Sequence, residues 1–159
     1  MLDKPIQHYY PDEISMCFGC GRNNPHGLHL QSYWQGDEAV CHFLPQPYHT
    51  AYPGIVYGGI LASLIDCHSI STGVVALHNA DGQPLTDGMR FACVTGQLNV
   101  RYLKPTPLEN ELVLRAHVKE LGPRKALVVC TLSVNGIETV TGEVLAVRVE
   151  NNSSAHGHR

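Results

Sequence analysis

The sequence predicts an α+β domain in which one long, largely apolar helix is wrapped by a curved antiparallel sheet of about six strands. Three observations carry that expectation. Residues 58–78 hold the one long stretch with helical spacing of apolar residues. Residues 92–149 alternate with period two, as half-buried antiparallel strands do. Turn residues divide that second region into four segments, and two shorter strand-like segments precede the helix. A single helix beside consecutive strands is an α+β layout, and a helix so apolar needs the sheet curved around it.

Taken in order, residues 1–27 form an irregular leader with Pro5, Pro11, Pro25 and the Gly-rich run Cys17-Phe18-Gly19-Cys20-Gly21. Residues 28–34 and 38–44 read as two short strands, with Gln35, Gly36 and Asp37 supplying the turn. Residues 45–54 hold three prolines and read as a loop. In the helix, Ile60, Leu61, Leu64 and Ile65 repeat at helical spacing, and Val74, Val75 and Leu77 continue the apolar character. Gly73 weakens its interior by up to about 1 kcal/mol relative to alanine. Strands are then expected over 92–103, 111–121, 125–135 and 137–149. Leu112, Leu114, Ala116 and Val118 fall on one face of theirs, and Ala126–Val134 is apolar enough for a central strand. Gly122-Pro123 and Asn135-Gly136 are hairpin connections. One domain over 28–150 follows, with a polar tail, 151–159, expected to be disordered.

The bulk composition narrows the function classes. A chain of 159 residues fits one ordinary domain and buries roughly 70% of its unfolded surface. With 43% hydrophobic and 16% charged residues it is globular. A net charge of −3 gives no nucleic-acid footprint. No run of about 18 apolar residues suggests a membrane span, and the first residues lack a signal peptide's apolar core. A cytoplasmic location is the expectation, and with it free thiols at Cys17, Cys20, Cys41, Cys67, Cys93 and Cys130.

The informative segment is Pro53 to His68. Gly58 and Gly59 open the helix, where the first N–H groups have no partner within it and can polarise a carbonyl oxygen. Asp66 follows about two turns later, between Ile65 and Cys67. Aspartate is a poor residue for a buried helix interior, so a carboxylate kept there has a partner or a task. Taken alone, it reads first as a solvated or satisfied structural aspartate; the Gly-Gly helix start, the Pro-Gly loop before it and the strands after it turn the reading toward function.

The segment resembles the motif of hotdog-fold thioesterases of the phenylacetic-acid-degradation type. Those begin the central helix with His-Gly-Gly and place an acid nine positions after the histidine. Tyr57 stands at the histidine position here, and Asp66 at plus nine. Asn99-Val100-Arg101-Tyr102-Leu103-Lys104-Pro105 is similar to the ending of the family's strand after the helix. The resemblance covers roughly residues 28–149. It implies a hotdog fold and hydrolysis of an acyl-CoA thioester, with CoA as part of the substrate and no separate cofactor. It implies Asp66 as nucleophile or as the base that activates water, Gly58, with Gly59 beside it, as carbonyl-polarising N–H donors, and Thr95 as the residue that positions water. It also implies that glycine and acid come from opposite subunits, so that the active form is a dimer or tetramer.

Two departures accompany it. Tyr57 removes the usual imidazole while leaving the Gly58 backbone in place. Ala51 stands where relatives often carry a polar residue, with His49 and Thr50 beside it. His49, Tyr57 and Gly59 are therefore candidate substrate contacts. His68 reads either as pocket lining or as packing. Arg124-Lys125, after a Gly-Pro turn, are candidates for coenzyme A phosphates, with Arg22, Arg101 and Lys104 behind them. Trp34, Tyr48, Tyr52 and Tyr57 could favour an aromatic or medium-chain acyl group. Cys17 and Cys20 make half a zinc site that His26 and His29 could complete, but a structural role, covering the sheet or the acyl pocket, is the default and no metal is expected. Two other functions stay open: a hotdog hydratase or dehydratase using His49 as base, and a non-catalytic acyl-CoA-binding protein.

Overall fold

A computed structural model describes residues 2–150; the tail expected over 151–159 lies outside the described residues. The elements run β1 (Tyr33–Gln35), β2 (Glu38–Phe43), α1 (Gly58–Ala80), β3 (Phe91–Tyr102), β4 (Leu112–Leu121), β5 (Lys125–Val134) and β6 (Ile137–Glu150). The six strands form one antiparallel sheet in the order β1-β2-β4-β5-β6-β3. Helix α1 leaves near β2 and delivers the chain to β3 at the far edge, packing on β3, β4, β5 and β6 as it crosses. This is the hotdog arrangement.

The helix is long and apolar enough to cross a bilayer, but here the sheet takes its apolar side. Leu64 and Ile65 are fully buried, with Leu114, Val128, Leu132 and Val144 among the strand residues of the same core. Burying such a side chain contributes roughly 1.5–3 kcal/mol. Two close approaches set the distance between the layers. A Cβ on Gly73 would lie 2.7 Å from that of Ala146, and one on Gly142 of β6 would run into Ile65. Gly73, which costs helix propensity, is there because nothing larger fits.

The hairpins follow their turn chemistry. Asn135 and Gly136 both adopt left-handed backbone, at φ 51° and 77°, as a type I′ turn between β5 and β6 requires. The first strand differs from expectation. Residues 28–32 are not paired in the sheet, and β1 begins only at Tyr33. His29 sits at φ 53°, which interrupts any strand there, and Leu28 and Leu30 bond instead to Phe18 and Gly19 of the leader. The leader is also more ordered than expected. It makes 3-10 turns at Ile6–Tyr9 and Asp12–Ile14, and it buries Ile6 in a second apolar cluster with Val74, Val75 and Leu85.

The Gly142 approach gives a direct test. Gly142→Ala is expected to lower stability in urea unfolding by about 1–3 kcal/mol, since β6 and Ile65 must separate. Gly122→Ala, whose new methyl meets only the Lys125 carbonyl at 3.7 Å, is expected to unfold close to wild type.

Candidate active site

Asp66 lies on the side of α1 that faces β3. Its Oδ1 accepts a 2.6 Å hydrogen bond from the Thr95 hydroxyl. Gly96 positions that hydroxyl: the β3–β6 register shifts between Thr95 and Gln97, so Gly96 is an extra residue and the strand is re-aimed there. A side chain on Gly96 would press on Val147. Burial pushes the Asp66 carboxyl above the usual carboxylate range, the Thr95 hydrogen bond opposes this, and the nearby Cys17 sulfur adds to it.

The two residues border a cavity of about 300 Å³ whose other walls are mostly apolar, including Ile14, Ile70, Val74, Met89 and Cys93. Its size suits a small ligand or part of a larger one. The leader supplies one wall through Tyr10, Ile14, Cys17 and Cys20. The Cys17–Leu28 stretch is expected to cover the sheet or the acyl pocket, and Cys17 and Cys20 do border this cavity; nothing local in the leader marks Tyr10 or Ile14 as part of the same wall.

A buried polar network holds the leader on the helix. Gln7 Nε2 donates to Ser71 Oγ at 2.8 Å, and Gln7 Oε1 accepts from the Ser32 N–H at 2.9 Å. Arg22 donates to the carbonyls of Gln7 and Tyr10 and to Ser15 Oγ, tying the leader's own turns together. His68 belongs to this network. Its Nδ1 pairs with Ser32 Oγ at 2.8 Å and its Nε2 with the Ala39 carbonyl at 3.0 Å. Burial lowers its pKa to about 4, so a neutral ring donates from Nε2 and accepts at Nδ1. His68 is thus a packing residue and does not line the cavity, which corrects its candidacy as a substrate contact.

Gly58 and Gly59 are elsewhere. Eight residues of helix place Gly58 about 12 Å from Asp66 along the axis. Tyr57 is the N-cap, and its carbonyl takes the N–H groups of Ile60 and Leu61, leaving those of Gly58 and Gly59 ahead of the first helical bond. The Tyr102 hydroxyl donates to the Gly58 carbonyl at 2.7 Å and fixes the helix start. The exposed Tyr57 ring folds back over Gly59. His49 braces the preceding loop: its Nδ1 accepts the Gln46 N–H at 3.0 Å and its ring stacks on Phe43. Burial holds its pKa below the usual histidine value. Arg124 and Lys125 sit where β4 turns into β5, and Arg124 shares Glu150 at 3.4 Å. Trp34, Tyr48, Tyr52 and Tyr57 do not line the Asp66 cavity; the aromatic residue that does is Tyr10.

The Cys17–Cys20 pair is joined by Cys67 of α1 rather than by His26 or His29. The His29 ring bonds the Asn24 carbonyl at 2.5 Å.

The thioesterase superfamily model matches residues 53–141, which span the helix, the Asp66–Thr95 pair and most of the meander. The chain belongs to the thioesterase superfamily. A thioesterase superfamily protein of Shewanella loihica is 37% identical over 88% of this chain and 99% of its own, with a TM-score of 0.64. The mouse acyl-coenzyme A thioesterase THEM4 is 30% identical over 62% of this chain, and mouse acyl-coenzyme A thioesterase 13 is 24% identical over 69% of it. The match covers 36% of THEM4 and 68% of acyl-coenzyme A thioesterase 13, so this chain spans little more than a third of the first of these curated relatives.

Within this thioesterase-superfamily chain the two glycines at the helix start differ in what they tolerate. A methyl on Gly59 meets only the exposed, movable Tyr57 ring, whereas one on Gly58 meets Tyr102 at an ordinary 3.5 Å. Gly59→Ala is therefore expected to be neutral or stabilising by up to about 1 kcal/mol in thermal or urea unfolding, the ring swinging aside. A clear loss of stability in that variant would mean that the Tyr57 ring is locked in place.

Proposed function

We propose that the protein hydrolyses acyl-CoA thioesters to the free acid and coenzyme A, with Asp66 as the carboxylate that acts on the thioester. The observation that carries this reading is a half-buried aspartate, bonded to Thr95, on the wall of an otherwise apolar cavity in a thioesterase-superfamily chain. The substrate class is taken from relatives that are acyl-coenzyme A thioesterases by name. The apolar cavity receives the acyl chain. Among the described residues no histidine of the same chain lines it; a hydratase would need an imidazole base beside the acid, and turnover of enoyl-CoA esters by hydration separates the two readings.

Thr95 occupies Oδ1 of Asp66, and Oδ2 is the oxygen that acts. It either attacks the thioester carbon, expelling the CoA thiolate and leaving an anhydride for water to cleave, or it takes a proton from water as that water attacks. Both routes place negative charge on the thioester oxygen, and that charge needs a preorganised donor. Gly58 is too far along its own helix to serve Asp66, so the donor is the Gly58 N–H of a second copy. Strand β3 favours such pairing. It is an edge strand of the sheet and carries exposed Val94 and Leu98, the kind of edge that proteins otherwise protect. Tyr57 and Gly59 then flank the thioester across the interface, and Arg124 and Lys125 are assigned to the coenzyme A phosphates.

A thiol-release screen over acyl-CoA chain lengths and aromatic CoA esters tests the activity; tight binding without turnover across that panel would leave a binding protein instead. Asp66→Asn is expected to lower kcat by about 10²–10⁴-fold with the circular dichroism spectrum unchanged. Thr95→Val, which removes one hydrogen bond to the carboxylate, is expected to lower it by about tenfold. Mass-spectrometric trapping of an acyl–Asp66 anhydride shows the nucleophilic route, and ¹⁸O from water appearing in Asp66 during a single turnover shows it where water attacks the carboxyl carbon.

The shared site has its own test. Proline is tolerated at the first helical position, and Tyr57 at φ −59°, ψ 129° already has the extended backbone that a following proline demands. Gly58→Pro therefore deletes the N–H donor while keeping the helix, with an expected 10²–10³-fold loss in kcat, in the range of about 3–4 kcal/mol. Mixed dimers of Gly58→Pro and Asp66→Asn chains hold one intact site each if the site is shared. Random mixing then restores about a quarter of wild-type activity. No recovery would place both groups in one chain.

A further inference from the structure

The three sulfurs of Cys17, Cys20 and Cys67 lie within 4.8 Å of one another. Cys17 and Cys67 are 50 residues apart in sequence, yet their sulfurs are 3.7 Å apart. A tetrahedral zinc ion with Zn–S bonds of about 2.3 Å has S–S edges of about 3.8 Å, so this spacing is that of one edge of a zinc–thiolate tetrahedron. The backbone is shaped to allow it. A side chain on Gly19 would collide with the Cys67 sulfur, and one on Gly21 would fall 2.6 Å from the Cys17 and Ser15 carbonyl oxygens. The Gly21 N–H closes the turn on the Cys17 carbonyl at 2.8 Å. Arg22 pins this loop from the other side, so two of the sulfurs are presented by a preformed turn to the third on α1.

We propose that Cys17, Cys20 and Cys67 form a three-thiolate site for a zinc-class divalent cation. Three soft sulfur ligands select a thiophilic metal over calcium or magnesium. All three cysteines also border the Asp66 cavity, and among the described residues no histidine or carboxylate joins their cluster. The fourth coordination position therefore opens into the cavity, where water or a donor atom of a bound ligand completes it. The bound ion would fasten the leader to the helix one residue from Asp66. His26 and His29, the partners the spacing of the leader suggested, are not ligands.

The test reads the metal, not turnover, so its outcome is independent of the hydrolysis proposed above. The full chain is purified under reductant, stripped with a chelator and reloaded with zinc or with cobalt(II). The expected result is a single zinc ion per chain retained through gel filtration, and a cobalt adduct with sulfur-to-cobalt charge transfer and the intense visible bands of tetrahedral coordination. Cys67→Ala is expected to weaken zinc by more than the ~10–100-fold that loss of an outer hydrogen-bond partner costs. The His26→Ala/His29→Ala double variant is expected to bind as wild type. Should Cys67→Ala misfold, alkylation of the wild-type chain supplies the same answer. Zinc is expected to shield Cys17, Cys20 and Cys67 together while Cys93, on the same cavity, reacts equally with and without it. Undiminished binding in folded Cys67→Ala, loss of binding in the histidine double variant, failure of the wild-type chain to take up zinc or cobalt, or equal alkylation with and without zinc would each overturn the site.

Discussion

The structure depends on how closely α1 approaches the sheet. At Gly73 against Ala146, and at Ile65 against Gly142, the layers meet with no room for another methyl group. Dispersion and burial both fall off within fractions of an ångström, so this approach determines how well Leu64, Ile65 and the strand residues beneath them pack. It also fixes the register of the helix over the sheet. With Ile65 seated on Gly142, the next residue, Asp66, has to turn toward β3, where the Gly96 bulge presents Thr95. The carboxylate is therefore positioned by apolar packing one residue away.

A sheet covers only one side of a helix, and the opposite side of α1 carries Ser71, Cys67 and His68 as well as apolar groups. The leader resolves this mixture. Its Ile6 joins the apolar cluster at Val74 and Val75, while Gln7 and Ser32 satisfy Ser71 and His68. An unpartnered buried imidazole or hydroxyl would cost about 1–3 kcal/mol, so these bonds make burial of that side possible. The same coverage closes the cavity beside Asp66 and removes water from one side of the carboxylate. Elevation of its pKa is thus a consequence of the leader as well as of the helix.

How far the sequence discloses this arrangement depends on range. The helix and the last four strands are set by local period and turn residues, and their observed bounds lie within two residues of those expected. Asn135-Gly136 is legible for the same reason. Residues 28–32 are not: Leu28 and Leu30 alternate like a strand, but their N–H groups go to the leader, and no local pattern encodes that partner. The site divides similarly. Asp66, Gly58 and Thr95 stand out through motif spacing and through the oddity of an acid among leucines. Tyr10 in the cavity wall, Cys67 beside the CxxC pair and the buried pairing of His68 arise from contacts between segments about 30 to 60 residues apart. Side-chain type narrows what such residues can do, but only the tertiary contact selects among the options.

The division of labour along α1 follows from helix geometry. A helix start is the place where backbone N–H groups are free, and a carboxylate needs the mid-helix position to be half-buried against the sheet edge. On one helix these two requirements are about 12 Å apart and cannot meet at one carbonyl. On the proposed reading, two copies related by a twofold axis remove the conflict, because each helix start can face the middle of the other. On that same reading, the long β3 edge with exposed Val94 and Leu98 is where the second copy attaches, and Thr95, exposed in the single chain, becomes enclosed with Asp66. The feature that looks like a liability in one subunit is then the one that completes its active site.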